Sequence, residues 1–381
     1  PVATFLLQTP WTGDFPMWYC LLNTGLSMIM NHESLIATKA RRVRTVAPKD
    51  ALMEFGLRRA QGHSAGLWGA RAAMIGGFNG TSNVEAGKRF GIPVLGTMAH
   101  SWVMSFDEEI DAFREYVRQY HDNLILLADT YNVLEMGVPH AIQVFKELKE
   151  EGRLPGKYGI RIDSGDIAYL SQEATRMFTE AGFPDAIISG SNDLDEYTIQ
   201  SLKAQGCTVT SWGVGTKIIT ADGTSALGGV FKMAVKEADG KEVPVMKFSN
   251  DVEKMTNPGI KTVYRFYKKD TGKMITDLVC LHDEKAADGG DFTLVTESAK
   301  WRRKELKAGT YTVEELLKPV VENGRNLPLP ALSEIIRYAD KQIDTLWPEY
   351  TRLLNPDLME INLSDKLQTL KSELIRRELG E

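Results

Sequence analysis

Residues 158–189 have the sequence YGIRIDSGDIAYLSQEATRMFTEAGFPDAIIS, and this stretch decides the predicted fold. Two short apolar runs, Tyr158 to Ile162 and Ala186 to Ser189, predict strands. The amphipathic segment between them, Ile167 to Ala181, predicts a helix, and Asp166 stands where an N-cap side chain accepts from backbone amides. A strand, a helix and a second strand in this order form one parallel β/α unit.

The same alternation continues from Leu52 to about Val235. Short apolar runs that end in small or polar residues alternate there with longer amphipathic stretches. The strand candidates are Leu52 to Gly56, Ala73 to Phe78, Pro93 to Met98, Leu124 to Ala128, Tyr158 to Ile162, Ala186 to Ser189, Thr208 to Trp212 and Gly229 to Met233. Eight parallel strands close a barrel, so we predict an α/β fold with an irregular, TIM-like β/α barrel.

The rest of the chain predicts two further regions. Val243 to Phe266 and Thr276 to Thr296 contain β-branched runs broken by turn residues, which is typical of antiparallel sheet. Leu332 to Trp347 and Asp365 to Leu379 are charged and amphipathic, which is typical of peripheral helices. The predicted domains are a barrel at 17–235, a small and mainly antiparallel β domain at 1–16 with 236–300, and a C-terminal helical region at 301–381.

The composition excludes several classes of protein. The chain has 381 residues and 43% hydrophobic content, enough for a barrel and a smaller domain. A net charge of -6 at pH 7 offers no electrostatic reason to bind nucleic acid or an anionic membrane. No apolar run approaches the ~18 residues of a membrane span. The cysteines Cys20, Cys207 and Cys280 are widely separated, which favours no disulfide framework or zinc site and fits a cytoplasmic protein.

Polar residues follow almost every predicted strand. In a β/α barrel the active site lies at these strand ends. The segments are Glu54 to Arg59, Asn79 to Asn83, Gly96 to Ser101, Asp129 to Tyr131, Arg161 to Asp166, Ser189 to Asp193 and Gly213 to Lys217. All seven would point into one mouth, and this convergence favours a functional site.

Taken singly, the same residues also fit structural roles. Gly213-Val-Gly-Thr216 could be a tight turn, His100 a hydrogen-bonded structural histidine, and Arg161 with Asp163 a local ion pair. Two charged groups fit helix ends, namely Asp193, Asp195 and Glu196 at a helix start and Arg41, Arg42 and Arg44 at a helix end.

The mixture of residue types indicates the ligand. Small residues and backbone amides, with Lys217 and Lys232, suit phosphate groups. Carboxylates suit sugar hydroxyls or Mg²⁺. The carboxylate candidates are Asp129, Asp163 and Asp193. Phe55 offers a stacking face for a flat ring. From the residues alone we therefore expect a phosphosugar and a planar heterocycle as ligands.

Eight ordered motifs carry a resemblance to a known family. They are Glu54-Phe-Gly-Leu-Arg-Arg-Ala60, Gly80-Thr-Ser-Asn83, Gly96-Thr-Met-Ala-His-Ser101, Asp129-Thr-Tyr131, Arg161-Ile-Asp-Ser-Gly-Asp166, Ser191-Asn-Asp-Leu-Asp-Glu196, Trp212-Gly-Val-Gly-Thr216 and Gly229-Val-Phe-Lys232. In these motifs the chain resembles the nicotinate phosphoribosyltransferase family, from near residue 1 to the C-terminal helices. The resemblance implies an enzyme that joins nicotinate to 5-phosphoribosyl 1-pyrophosphate in NAD biosynthesis or salvage. The products are nicotinate mononucleotide and pyrophosphate, and the implied cofactors are ATP and Mg²⁺.

The resemblance also implies roles for individual residues. His100 is expected to carry a phosphoryl group that couples ATP hydrolysis to synthesis, and Asp129 to orient its imidazole. Arg161 is expected to contact the carboxylate of the pyridine ring or the phosphoribosyl group, and Asp163 to meet ribose or metal. Phe55 is expected to stack on the pyridine.

The remaining expected contacts are with sugar and phosphate. Gly213, Gly215 and Thr216 are expected to cradle the 5-phosphate, and Ser191 or Asp193 to hold the ribose hydroxyls. Arg58 and Lys232 are expected to meet the phosphates of pyrophosphate or ATP, and Lys254 and Lys261 to close over them. The metal ligands stay unassigned.

Ser82 bears on the choice of substrate. The related nicotinamide enzymes have an aspartate at this position, which would accept from an amide but repel a carboxylate, so serine favours nicotinate. The alternatives are a nicotinamide or quinolinate phosphoribosyltransferase, or a non-catalytic phosphoribosyl or nucleotide sensor. The resemblance further implies a homodimer with shared active sites. It also implies residues upstream of Pro1 that complete the small β domain.

Overall fold

The computed structural model describes residues 22–250, 254–286, 290–296 and 303–380. The chain divides into two compact units. The first is Met28–Leu227, and the second consists of the described residues of Pro1–Ser27 and Gly228–Glu381. The predicted α/β fold is confirmed, because the first unit contains a parallel sheet and the second a mainly antiparallel one.

Six parallel strands form the sheet of the first unit, which curls as a half-barrel. In chain order they are β1 (Ala51–Glu54), β2 (Gly80–Thr81), β3 (Leu124–Leu127), β4 (Tyr158–Ile162), β5 (Ile187–Gly190) and β6 (Ser211–Val214). Their order across the sheet is β2-β1-β6-β5-β4-β3. Every residue of β3 is buried, as is typical of a parallel strand covered on both faces.

Helices precede, connect and follow these strands. They are α1 (Ser27–Val46), α2 (His63–Ile75), α3 (Val84–Phe90), α4 (His100–Val103), α5 (Glu109–Gln119), α6 (Val138–Glu150), α7 (Ile167–Glu180), α8 (Glu196–Ala204) and α9 (Thr216–Ile219), with helical turns at Leu57–Arg59 and Val133–Gly137. A further helical turn, Leu22–Leu26, belongs to the second unit. The predicted cap of α7 is confirmed, since the Asp166 side chain accepts from Tyr169 N at 3.0 Å. None of the helices in the described part of the chain combines the length and apolar character needed to cross a membrane.

Three of the eight predicted strands are wrong. Ala73 to Phe78 lies at the end of helix α2, and its apolar run comes from a helix buried on several sides. A Cβ on the following Gly76 would lie 2.4 Å from Cβ of Ala40, so α2 ends directly against α1. Pro93 to Met98 contributes only a bridge between Val94 and Thr81, and Gly229 to Met233 has no regular structure. A short apolar run does not by itself distinguish a strand from buried helix or loop.

The second unit is built on another six-stranded sheet, with the order β12-β11-β16-β10-β9-β13. The strands of the unit are β7 (Val235–Ala238), β8 (Lys241–Pro244), β9 (Lys261–Lys268), β10 (Met274–Leu281), β11 (Phe292–Thr296), β12 (Arg303–Leu306), β13 (Tyr311–Glu315), β14 (Val321–Glu322), β15 (Arg325–Asn326) and β16 (Ile361–Ser364). Its helices are α10 (Leu332–Thr345) and α11 (Asp365–Leu379), with a helical turn at Pro348–Tyr350. Phe266, Leu278 and Leu294 are central to its apolar core.

The predicted boundary at residue 300 is wrong. Strands β12, β13 and β16 follow that boundary, yet they pair with β11, β9 and β10 in one sheet. β12 and β13 are the outer strands, where charged residues are tolerated because one edge faces solvent. Their polar sequences concealed them from a search for apolar runs. Residues 1–16, which we assigned to the small β domain, lie outside the described residues.

Candidate active site

A cavity of about 440 Å³ opens at the carboxyl ends of the parallel strands in the first unit. The predicted site residues that line it are Phe55, Arg58, Ser82, His100, Arg161, Asp163, Ser191, Asp193, Gly213, Gly215 and Thr216. They lie in the last residues of five of the strands or in the segments that follow them. Because carboxyl ends of parallel strands meet at one edge of a sheet, residues distant in sequence share this cavity.

His100 is the first residue of helix α4 and lies at the cavity wall. Its Nδ1 lies 3.2 Å from Oγ1 of Thr130. Its Nε2 faces two carboxylates, 3.8 Å from Oδ2 of Asp163 and 4.0 Å from Oδ1 of Asp129. Carboxylates stabilise a nearby N–H, so they favour the proton on Nε2 and leave the lone pair on Nδ1.

Asp129 is held firmly at the end of strand β3. Its side chain is 1% exposed, and its Oδ2 accepts from Asp163 N at 3.0 Å and from Ser164 Oγ at 2.5 Å. Its Oδ1, the atom nearest to His100, is buried and has no hydrogen-bond partner among the described residues. The anchored carboxylate therefore directs negative potential at the imidazole rather than hydrogen-bonding to it.

Arg161 places a half-buried positive charge at the cavity wall. Its Nη1 donates to Oγ1 of Thr97 at 2.6 Å, while its Nε is buried without a hydrogen-bond partner in the described ranges. Burial lowers the pKa of Arg161, and the nearby carboxylates of Asp163 and Asp129 oppose this shift. A guanidinium stays charged at neutral pH even so, which suits it to an anionic ligand group.

Glycines bring the end of strand β6 close to Phe55. A Cβ on Gly213 would lie 2.7 Å from two ring carbons of Phe55, and a Cβ on Gly215 would lie 3.0 Å from the Phe55 carbonyl oxygen. Phe55 N also donates to the Val214 carbonyl at 2.8 Å. The aromatic ring and the Gly213 to Thr216 segment thus form one continuous wall, which only residues without a side chain allow.

Glu54 is hydrogen-bonded to two loops of the cavity wall. It is fully buried, and its carboxylate accepts from Gly56 N and, at 2.6 Å, from Oγ1 of Thr81. Its carbonyl oxygen accepts from Ser82 N at 3.0 Å. Glu54 therefore fixes the loop that carries Phe55 relative to the one that carries Ser82. Burial raises the pKa of its carboxyl group, although the two hydrogen bonds oppose the shift.

We expect the Glu54→Gln variant to lose less stability than the wild type as pH rises above 4.5, the ordinary pKa of the group. The folded-state pKa is raised, so the unfolded carboxyl ionises first and the unfolded state binds fewer protons over that window. Rising pH then lowers the free energy of unfolding of the wild type, and glutamine removes this contribution. Urea unfolding at a series of pH values measures the free energy of unfolding of each protein. The control variant Glu150→Gln, at an exposed position, should show the same pH dependence as the wild type. If Glu54→Gln also showed the pH dependence of the wild type, the raised pKa of Glu54 would be refuted.

Three predicted phosphate ligands, Lys232, Lys254 and Lys261, belong to the second unit. Lys261 is buried, and its Nζ donates to the carbonyl oxygens of Asn257 at 2.8 Å and Gly259 at 2.5 Å. Burial lowers the pKa of Lys261 to about 8. The contacts of these lysines with phosphate stay predictions.

Four residues at or beside the cavity lie in the predicted segments but had no individual role in the prediction. Thr97 holds Arg161, Thr130 lies against His100, and Arg59 and Asn192 line the wall. All four lie inside the motifs. Thr97, Thr130 and Asn192 are neutral and carry little chemical signal of their own, whereas Arg59 stands beside Arg58, the arginine to which the resemblance assigns a role. In the described ranges, no group of three or more His, Cys, Asp or Glu side chains is arranged to hold a metal ion. Asp163, whose side chain is 33% exposed, and Asp193 are the two carboxylates that line the cavity, and carboxylate oxygens are of the kind that Mg²⁺ accepts as ligands.

Comparison with known proteins decides the family. Residues 51–285 match the model of the nicotinate phosphoribosyltransferase family, and residues 260–371 match the model of the nicotinate phosphoribosyltransferase C-terminal domain. The chain belongs to the nicotinate phosphoribosyltransferase family. The first match covers more than half of the chain and includes every cavity residue, so the resemblance of the motifs is confirmed.

Individual relatives agree with this membership of the nicotinate phosphoribosyltransferase family. A nicotinate phosphoribosyltransferase of Bacillus subtilis is 42% identical over 359 residues, which cover 93% of this chain and 71% of the relative. The crystal structure of human nicotinic acid phosphoribosyltransferase matches with a TM-score of 0.78 and 30% identity, over 93% of this chain and 76% of that one. The crystal structure of a nicotinate-nucleotide pyrophosphorylase of Pyrococcus furiosus shares the fold. It matches with a TM-score of 0.62 and 22% identity, over 86% of this chain and 74% of that one.

Proposed function

We propose that this chain transfers the 5-phosphoribosyl group of phosphoribosyl pyrophosphate to nicotinate, forming nicotinate mononucleotide and pyrophosphate. The observation that carries the proposal is the half-buried guanidinium of Arg161, which shares one cavity with the ring of Phe55 and the glycine-rich end of β6. A flat ring with a carboxylate fits the first two groups, and a sugar phosphate fits the third. The relatives named nicotinate phosphoribosyltransferase support the same reaction.

The transfer needs positioning more than acid or base chemistry. The bond from the ribose carbon to pyrophosphate breaks as the ring nitrogen of nicotinate bonds to that carbon, so positive charge develops on the sugar. Phe55 and Arg161 would hold the pyridine, and Ser191 with Asp193 the ribose. Arg58 at the cavity wall would neutralise departing pyrophosphate.

ATP coupling through His100 forms the second part of the proposal. Nδ1 carries the lone pair, so it would accept the γ-phosphoryl group of ATP while the bond to the bridging oxygen breaks and ADP leaves. The two carboxylates on the Nε2 side support this assignment, because they would stabilise the resulting imidazolium-like ring. Bound Mg²⁺, which Asp163 would hold together with phosphate oxygens, would neutralise phosphate charge.

Product analysis tests the proposed function. Mass spectrometry should detect nicotinate mononucleotide when the protein receives nicotinate, phosphoribosyl pyrophosphate and Mg-ATP. Parallel reactions offer nicotinamide or quinolinate instead of nicotinate. A nucleotide formed preferentially from either of these would establish the corresponding alternative enzyme, and no product from any substrate would favour a sensor. Size-exclusion chromatography checks the proposed homodimer.

Ser82→Asp tests the basis of substrate choice. Ser82 N donates to the Glu54 carbonyl oxygen, so the Ser82 side chain has a defined place on the cavity wall. A new carboxylate there would repel nicotinate, and we expect kcat/KM for nicotinate to fall by about 100-fold, the scale of 3 kcal/mol. Competition between nicotinate and nicotinamide measures the preference. Ser82→Ala is the control for loss of the hydroxyl alone, and an unchanged acid-to-amide preference in Ser82→Asp would reject the role.

A further inference from the structure

An ion cluster around a buried carboxylate lies three residues after one segment of the cavity wall. Glu196 begins helix α8 and is 1% exposed. Nζ of Lys39 lies 2.9 Å from its Oε2 and donates to its Oε1 at 3.2 Å, and Nε of Arg42 donates to Oε1 at 2.7 Å. Lys39 and Arg42 both lie on helix α1, so the carboxylate joins two helices far apart in sequence.

The neighbouring Tyr197 completes this cluster. Its hydroxyl accepts from Nη2 of Arg42 at 2.5 Å, and the guanidinium lies 5.5 Å from the centre of its ring. Nζ of Lys39 lies 5.9 Å from the same centre. Each cation therefore contacts both a carboxylate and an aromatic face, which fixes the first turn of α8 in position as well as in direction.

The anchored turn continues into the cavity wall. Asp195 caps α8 by accepting from Tyr197 N at 3.1 Å and Thr198 N at 2.8 Å, and Leu194 is buried. The three residues before these, at 191–193, line the cavity. Asn192 in their middle has a φ of 97°, a conformation that non-glycine residues rarely adopt.

A strained segment keeps its conformation only where its surroundings impose it. On its first side, Ser191 N donates to the Ile162 carbonyl at 3.0 Å, and Ser191 Oγ donates to Asp163. On its second side, the segment continues through buried Leu194 and the Asp195 cap to the Glu196 cluster, which joins this part of the chain to helix α1. Removing that constraint would let the segment relax away from the cavity.

We propose that Glu196, together with Lys39 and Arg42, is a positioning residue that holds residues 191–193 against the phosphoribosyl group. This inference rests on the proposed function, in which Ser191 and Asp193 hold the ribose. It assigns a role to charges that the sequence alone fits to solvated helix ends. Affinity for phosphoribosyl pyrophosphate therefore depends on an ion cluster that does not touch this substrate.

The test compares two ion pairs on the same helix. Glu196→Gln and Lys39→Met disrupt the cluster, and Lys39→Arg is the conservative variant. Glu33→Gln is the matched control, since Glu33 on α1 pairs at 3.0 Å with Arg71 on α2 and neither lines the cavity. We expect the two disrupting variants to raise KM for phosphoribosyl pyrophosphate about tenfold. In these two variants, KM for nicotinate and kcat should stay within about twofold of the wild type. In Lys39→Arg and Glu33→Gln, kcat and both KM values should stay within about twofold of the wild type.

The outcomes separate this inference from the proposed function. Calorimetric titration with phosphoribosyl pyrophosphate, beside thermal unfolding, should show weaker binding by the Glu196→Gln and Lys39→Met variants in their folded state. Equal binding by these variants and the wild type, with only a lower midpoint of unfolding, would overturn the positioning role. A wild type that binds phosphoribosyl pyrophosphate but forms no nicotinate mononucleotide would refute the proposed function, and the titrations would still decide the role of Glu196.

Discussion

His100→Ala is expected to lower nicotinate-stimulated ATP hydrolysis by about a thousandfold or more, the scale of losing a group that reacts covalently. The imidazole is 41% exposed at the cavity wall, and the two carboxylates beside Nε2 support the proposal that Nδ1 accepts the phosphoryl group. Alanine retains no atom that accepts a phosphoryl group. A coupled assay for ADP, with nicotinate present and absent, measures the loss.

Phosphoribosyl transfer without ATP coupling should survive in this variant, because the transfer itself needs no strong base. Mass spectrometry of the wild type after incubation with ATP should find one added phosphoryl group, absent from His100→Ala. His63→Ala is the control, since His63 is 73% exposed, pairs with Glu85 and does not line the cavity. Full ATP-coupled synthesis by His100→Ala would show that another group carries the phosphoryl intermediate.

Gly137→Ala is expected to destabilise the first unit by about 3 kcal/mol or more, the upper range for overpacking. Gly137 ends the helical turn before α6, and a Cβ there would lie 2.0 Å from the carbonyl oxygen of Ala128 and 2.8 Å from its carbonyl carbon. Backbone atoms directly after the fully buried strand β3 cannot move away as a flexible side chain does. Either the strand or the helix must shift.

Calorimetry should show the thermal transition of Gly137→Ala lowered by about 10 °C, the shift that such a free energy produces in a unit of this size. Ala128 directly precedes Asp129, so the folded fraction should also lose ATP coupling. Gly156→Ala is the control, because a Cβ there would meet no neighbouring atom within 4 Å and its φ is ordinary. Equal transition temperatures for the two variants would contradict the close packing at Gly137.

Local patterns predicted much of the first unit correctly. Five of the predicted strands are present, and helix α7 begins after its Asp166 cap. These features depend on residues close together in sequence, such as a cap three residues from its amide or an apolar run ending in polar residues. The strand predicted at Ala73 to Phe78 is wrong because a local pattern does not show contacts between distant segments. The apolar residues there are buried by the packing of α2 against α1.

The sequence by itself determined the parallel β/α organisation, the strand ends that carry the cavity residues, and the family motifs. Only the tertiary structure decided how those residues meet. Glu196 joins Lys39 across 157 positions, and His100 faces Thr130 on one nitrogen and two carboxylates on the other. A motif states which residue types are present at short spacing. Pairing between distant segments depends on how helices and strands pack. The free energy of that packing is distributed over many contacts, which no local pattern encodes.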